Sequence, residues 1–242
     1  GDPNFKDTVL LLHGDTSQQP FYDDQSLYSH EVTKTGNAKA TNWNPFNLPE
    51  GYWSNFFDGT DDYYSVPNST NTNIGGYSED YTINCWFNLG TITSDHRVLF
   101  GMSNGGGAQN KWLVGINMSS TAAYSANKVG IYSYANSSAR GDGTYSPGFL
   151  ANSWYYFTLV YTHSNTTLKI YINGTEVVSV SSNVDSSTGA FTMGADGEGN
   201  GDFNGFISNI RLIKGTALDS TVPTTPLTAV TNTKLLTAQS NR

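Results

Sequence analysis

Oxygen-bearing side chains at alternate positions are the first chemistry this chain offers. In GADGEGNGDFNGFISNIRLIKGTAL (194–218), Asp196, Glu198, Asn200 and Asp202 follow one another, with Gly201 at the tightest bend. Hard cations such as calcium bind where oxygen ligands are this dense. The spacing imitates the start of an EF-hand loop, yet its twelfth position is Ile207, where a bidentate acid is required. A second acidic cluster, Asp58, Asp61 and Asp62 in FDGTDDYYSVP, offers further ligands. Both stretches read either as calcium sites or as wide turns shaped by Asp and Gly.

Saccharide binding is the second chemistry. Sugars present C–H faces and hydroxyls, so a binder sets aromatic planes beside amides and carboxylates. Loops 119–127 and 134–149 supply the candidates Tyr124, Tyr134, Asn136, Arg140, Asp142 and Tyr145. The segment NSSARGDGTYSPG is too polar and glycine-rich for a core, which places Tyr145 at the surface. Its Arg-Gly-Asp tripeptide reads as a chance occurrence.

Hydrolytic chemistry has weaker support. GMSNG (101–105) is a literal Gly-x-Ser-x-Gly, followed by Asp142 and His163 in hydrolase order. A nucleophile elbow needs a strand–turn–helix, whereas GGGAQNKWLV continues into another strand. His13, His30, His96 and His163 show no pairing that would put two on one metal. Five Asn-x-Ser/Thr sequons are what so Asn-, Ser- and Thr-rich a chain produces from composition.

The elements that must position these residues are strands. Period-two alternation recurs in VLLLHG (9–14), DYYSVP (62–67), YTINCWFNL (81–89), RVLFGMS (97–103), KWLVGIN (111–117) and KVGIYSY (128–134). It continues in WYYFTLVYT (154–162), LKIYIN (168–173), TEVVSVS (175–181), GAFTMG (189–194), FISNIRLI (206–213) and TKLLTA (233–238). Asn173-Gly174 between two such runs predicts a two-residue hairpin, because a type I′ turn needs positive φ at both centres. A dozen strands without helices must close into two facing sheets or a barrel. Arg211, between Ile210 and Leu212, either covers the outer sheet or points into a groove.

Composition narrows the function classes. Of 242 residues, 13% are charged and 37% hydrophobic, with a net charge of −8 and no cluster of Lys or Arg. That balance argues against nucleic acid or an anionic membrane as partner. The single cysteine, Cys85, forbids an internal disulfide, favours folding in a reducing compartment and reads as a small buried hydrophobe. No run approaches the length of a membrane span, and no signal-peptide pattern is seen at the N-terminus.

Four stretches in order, PEGYWSNFFDGTDDYYSVP (49–67), YTINCWFNL, NSWYYFTLVYTHSNTTLKIYINGTEVVS (152–179) and FNGFISNIRLIKGTAL (203–218), resemble the laminin-G-like, concanavalin A-like jelly roll. The resemblance implies an all-β, two-sheet antiparallel β-sandwich with its core over 49–218. The terminal strands 9–14 and 233–238 then pair at one edge of a single domain spanning 1–242, which is either whole or one module of a larger protein. Such modules often hold one calcium at a rim, and the family's arginine at position 211 is structural. The tail TPLTAVTNTKLLTAQSNR resembles the exit of these modules in structural proteins of marine bacteriophages. That implies a non-enzymatic fibre, knob or decoration module on a virion assembled in the host cytoplasm. Its partners would be other virion proteins or a host-surface glycan, with a trimer as its assembly. The alternatives are a secreted bacterial carbohydrate-binding module and, with less support, a polysaccharide-cleaving enzyme. A glucanase of this fold would carry Glu-x-Asp-x-x-Glu along one strand, and Glu31, Glu50, Glu79, Glu176 and Glu198 do not fit that spacing.

Overall fold

The computed structural model describes residues 11–12, 31–46, 54–103, 111–118, 124–133 and 140–237. In chain order the strands of the first half are β1 (Leu11–Leu12), β2 (Thr33–Thr35), β3 (Lys39–Thr41), β4 (Ser54–Asp58), β5 (Tyr63–Val66), β6 (Tyr81–Leu89), β7 (Arg97–Ser103) and β8 (Trp112–Met118). Those of the second half are β9 (Tyr124–Ser133), β10 (Arg140–Thr144), β11 (Trp154–Thr162), β12 (Thr167–Ile172), β13 (Thr175–Val180), β14 (Ala190–Met193), β15 (Asn204–Lys214) and β16 (Thr233–Thr237). The only helical element among the described residues is a single 3₁₀ turn, His163–Asn165.

These strands form the two-sheet, all-β sandwich. The first sheet runs β1-β16-β15-β6-β11-β12-β13, with β4 beside the start of β15 and β3 beyond it. The second runs β10-β9-β8-β7-β14-β5-β2. Every pairing is antiparallel except that of β1 with β16, where Leu11 lies beside Leu236. The predicted hairpin is present: Ile172 faces Thr175, and Asn173 and Gly174 take φ of 50° and 78°.

Alternation decides which side chains meet between the sheets. On β6, Ile83, Cys85 and Phe87 join the central cluster with Phe157 and Leu159 of β11 and Phe100, Trp112 and Phe191 of the second sheet. Burial pushes the Cys85 thiol well above its ordinary value, so it stays an inert apolar group. The alternate residues Asn84, Trp86 and Asn88 therefore face away from the second sheet, as do Tyr156 and Thr158. On β15 a bulge between Ser208 and Arg211 inserts Asn209 at φ 53°. The extra residue keeps Ile207, Ile210 and Leu212 inward and turns Arg211 outward.

Strands β2, β3, β4 and β10 were not expected from the sequence. The last is the instructive one, since 140–144 reads as a polar loop. A Cβ at Gly143 would sit 1.7 Å from the Val177 carbonyl oxygen, and one at Gly141 2.3 Å from a Val180 methyl. The glycines let β10 cross the edge strand β13 closely and join the two sheets along one side.

Candidate functional site

The loops expected to hold saccharide fall only in part on the described residues. Tyr134 and Asn136 lie outside those residues, and Tyr124 opens β9 opposite Met118. Arg140 and Asp142 belong to β10 rather than to a loop, opposite Tyr132 and Gly130. The Asp142 carboxylate accepts a 2.6 Å bond from Lys128 Nζ. Tyr145 is buried, contrary to its expected exposure. Its ring stacks 4.9 Å from Phe149 and meets Tyr155 edge-on at 5.8 Å, so the chain leaving β10 turns into the core.

The two acidic loops do come together, because Asp58 pairs with Asn204 across β4 and β15. Several of their oxygens are engaged by nearby donors, while Asp202 Oδ1 is buried with no hydrogen-bond partner among the described residues. Asp196 Oδ1 accepts the backbone N–H groups of Glu198 (2.8 Å) and Asn200 (3.0 Å), and its Oδ2 accepts Asn200 Nδ2. Lys111 Nζ stands 3.9 Å from both Asp196 and Glu198. Asp58 is occupied by the Thr60 N–H and Asn37 Nδ2, while Asp62 accepts the N–H groups of Asn37 and Asp58. Burial raises the Asp202 carboxyl above its ordinary value, the Asp61 N–H opposes this, and the charges of Asp61 and Asp196 add to the rise. Burial likewise lowers the nearby His96 imidazole. Among the described residues no three His, Cys, Asp or Glu side chains are placed to hold a metal. Of the set Asp58, Asp61, Asp196, Glu198, Asn200 and Asp202, the carboxylates of Asp58 and Asp196 hold turns, and Glu198 meets Ser103 and Lys111.

Ser103, the serine of GMSNG, continues strand β7 and donates its hydroxyl hydrogen to Glu198.

A concave site lies instead on the outer face of the first sheet, beneath the chain between β15 and β16. Thr82 Oγ1 accepts the Leu218 N–H, and Asn209 Oδ1 accepts the Leu227 N–H at 2.9 Å, which tethers the segment near both ends above the sheet. Val222, Leu227 and Ala229 pack with Trp86, Tyr156 and Leu236 beneath them. Between these holds the segment arches over a cavity of about 270 Å³. Its floor is Asn84, Tyr156 and Arg211, all buried; its rim includes the exposed Asp219, Thr221 and Thr225.

Register explains the floor. Asn84 is the cross-strand neighbour of both Thr158 on β11 and Arg211 on β15. Arg211 Nε donates to Asn84 Oδ1 at 3.1 Å, and Nη1 donates to the Thr228 carbonyl at 2.9 Å. Burial lowers the Arg211 guanidinium from its usual value, and the neighbouring Tyr156 opposes that shift. Burial pushes the Tyr156 phenol up to about 12, so the hydroxyl keeps its proton as a donor at neutral pH. The hairpin tip also reaches this end of the face: Asn173 Oδ1 accepts the Tyr156 N–H, and Ser220 Oγ donates to the Gly174 carbonyl at 3.5 Å.

Aromatic surface lies on the same face. Trp154, two residues before Tyr156 on β11, meets Trp43 edge-on at 5.7 Å, and Trp43 packs on Phe206 at 4.6 Å. Trp43 remains 38% exposed. The sequence hinted at this site only through Arg211, a cation set mid-strand between apolar residues; the roof could not be read from it.

The family described as the Concanavalin A-like lectin/glucanases superfamily (Laminin_G_3) matches residues 58–222, more than half of the chain. No curated protein sequence matches. Similar solved structures include domain 4 of AbnA, a GH43 extracellular arabinanase from Geobacillus stearothermophilus, in complex with arabinotriose. It has a TM-score of 0.57 and 14% identity over 81% of this chain and 88% of that one. The binding domain of Botulinum Neurotoxin DC in complex with SialylT has a TM-score of 0.57 and 18% identity over 89% of this chain and 49% of that one. The binding domain of Paraclostridial Mosquitocidal Protein 1 gives 0.57 and 16% over 89% and 50%. The chain therefore spans most of the arabinanase domain and about half of each toxin structure. At these identities the likeness establishes the fold.

Proposed function

The chain belongs to the Concanavalin A-like lectin/glucanases superfamily, and from that premise we propose that it is a non-enzymatic glycan-binding module. The observation that carries this is the cavity over β6, β11 and β15, with its buried polar floor, hydroxyl-bearing rim and a half-exposed indole on the same face. An amide, a phenol and a guanidinium offer both donors and acceptors to sugar hydroxyls, and Trp43 offers a plane to a C–H face. The volume is at the small end of ligand pockets and suits a single sugar ring or the end of a chain. Asp219 is the one carboxylate among its lining residues, whereas glycoside hydrolysis needs two flanking the scissile bond. The names of the similar structures support the same reading, since one holds arabinotriose and another SialylT.

The setting we propose is a phage virion, with the module acting in attachment to host-surface glycans. This rests on the resemblance of the 225–242 tail to modules of phage structural proteins. Likeness to a domain of an extracellular arabinanase favours a secreted carbohydrate-binding module as the second reading. A glycan array probed with the purified protein tests binding: competable hits are expected, and a blank array would remove the reading. Incubation with those glycans should release no reducing sugar; release would make the protein an enzyme. Detection of the chain in purified particles by mass spectrometry separates the virion from the secreted setting.

A further inference from the structure

Arg211 is buried, 7% exposed, and takes part in none of the ion pairs formed among the described residues. Its partners of known distance are neutral oxygens, the Asn84 amide and the Thr228 carbonyl. A guanidinium removed from water without a carboxylate loses hydration that neutral acceptors replace only in part. Structural arginines of this kind are ordinarily paired. This one borders an open cavity whose mouth is solvated.

We infer that the cavity selects saccharides carrying an anionic oxygen group, held by the guanidinium of Arg211 with the Tyr156 hydroxyl and the Asn84 amide beside it. This deepens the glycan reading of the same cavity and rests on it. A uronic-acid carboxylate and a sulfate ester share the needed chemistry, a negative oxygen pair or triad that a guanidinium can meet with charge-assisted hydrogen bonds. A neutral sugar leaves the charge uncompensated. Tyr156 stays protonated through the physiological range and donates to the same anion rather than repelling it. Asp219 at the exposed rim opposes the anion, screened by solvent, and tunes the selectivity downward.

Isothermal titration of the full chain with sodium glucuronate, glucose 6-sulfate, glucose, sodium acetate and sodium sulfate tests this. Glucuronate or the sulfated sugar is expected to bind at least about tenfold more tightly than glucose and than either free anion; which of the two binds identifies the anion. Arg211→Gln, checked for an intact melting transition, should bring the ratio of anionic to neutral sugar close to one. Asp219→Asn, which keeps the side-chain oxygen that accepts the Thr221 N–H, should raise that ratio about threefold. Equal affinity for glucose and both charged sugars overturns the anion preference and leaves the glycan reading standing. Free acetate or sulfate binding as tightly as the sugars overturns it as a saccharide site. Binding of none of the five defeats both.

Discussion

Asn209 holds the roof of the cavity, and replacing it with alanine should loosen that roof at a calculable cost. Its side-chain oxygen is the acceptor for the buried Leu227 N–H at 2.9 Å, and its backbone sits at φ 53°. Alanine leaves the N–H unpaired, costing about 1–3 kcal/mol, and must hold a left-handed conformation at about 1–2 kcal/mol. The sum, about 2–5 kcal/mol, corresponds to a fall in melting temperature of roughly 4–20 °C for a chain of this size. Asn209→Gly separates the two parts: it accepts the backbone but not the hydrogen bond, and should show about 1–3 kcal/mol. Urea denaturation with both variants, at unchanged slope, reads these values directly. If Asn209→Ala stays within about 0.5 kcal/mol of the unmodified protein, the tether is not what holds the segment above β15.

Three further outcomes follow from the same geometry. Gly143→Ala drives a Cβ into the Val177 carbonyl where β10 crosses β13, so calorimetry should show a loss of at least about 1–3 kcal/mol; an unchanged transition would mean the sheets do not approach there. Asp202 has a folded-state carboxyl raised first by burial, so its contribution is intact below the ordinary carboxylate value and is lost as pH rises through the raised one. Asp202→Asn should therefore melt higher at pH 7, with the gap closing below about pH 4; a gap that widens in acid contradicts that sign. Millimolar calcium should leave the melting temperature unchanged, because the oxygens of Asp58, Asp62 and Asp196 are taken by their own loops; a saturable rise lost in Asp202→Asn would restore the metal site.

Strands with long, clean alternation were legible in the sequence. YTINCWFNL and WYYFTLVYT occupy β6 and β11 to the residue, since each is bounded by polar residues and packs bulky groups on both faces. Strands β2 and β3 are three residues long and leave no period to detect. Strand β10 was hidden by Gly141 and Gly143, residues that read as loop yet serve a close crossing. The acidic stretches around Asp61 and Asp202 were visible separately, but their meeting depends on the pairing of β4 with β15, a long-range choice that local pattern does not encode. For the same reason the candidate site was nearly invisible. Asn84, Tyr156 and Arg211 come from three strands distant in sequence, and the segment 218–228 becomes a roof through its bonds to Thr82, Asn209 and Arg211.

Saccharide binding in the cavity over Asn84, Tyr156 and Arg211 is open to a direct test. Titrating isotope-labelled protein with the best-binding sugar from the array, while following backbone amide shifts, locates the site directly. Saturable shifts gathered at 218–228 and around 84, 156 and 211 are expected. Shifts gathered instead in loops 119–127 and 134–149, or in neither region, would contradict binding there.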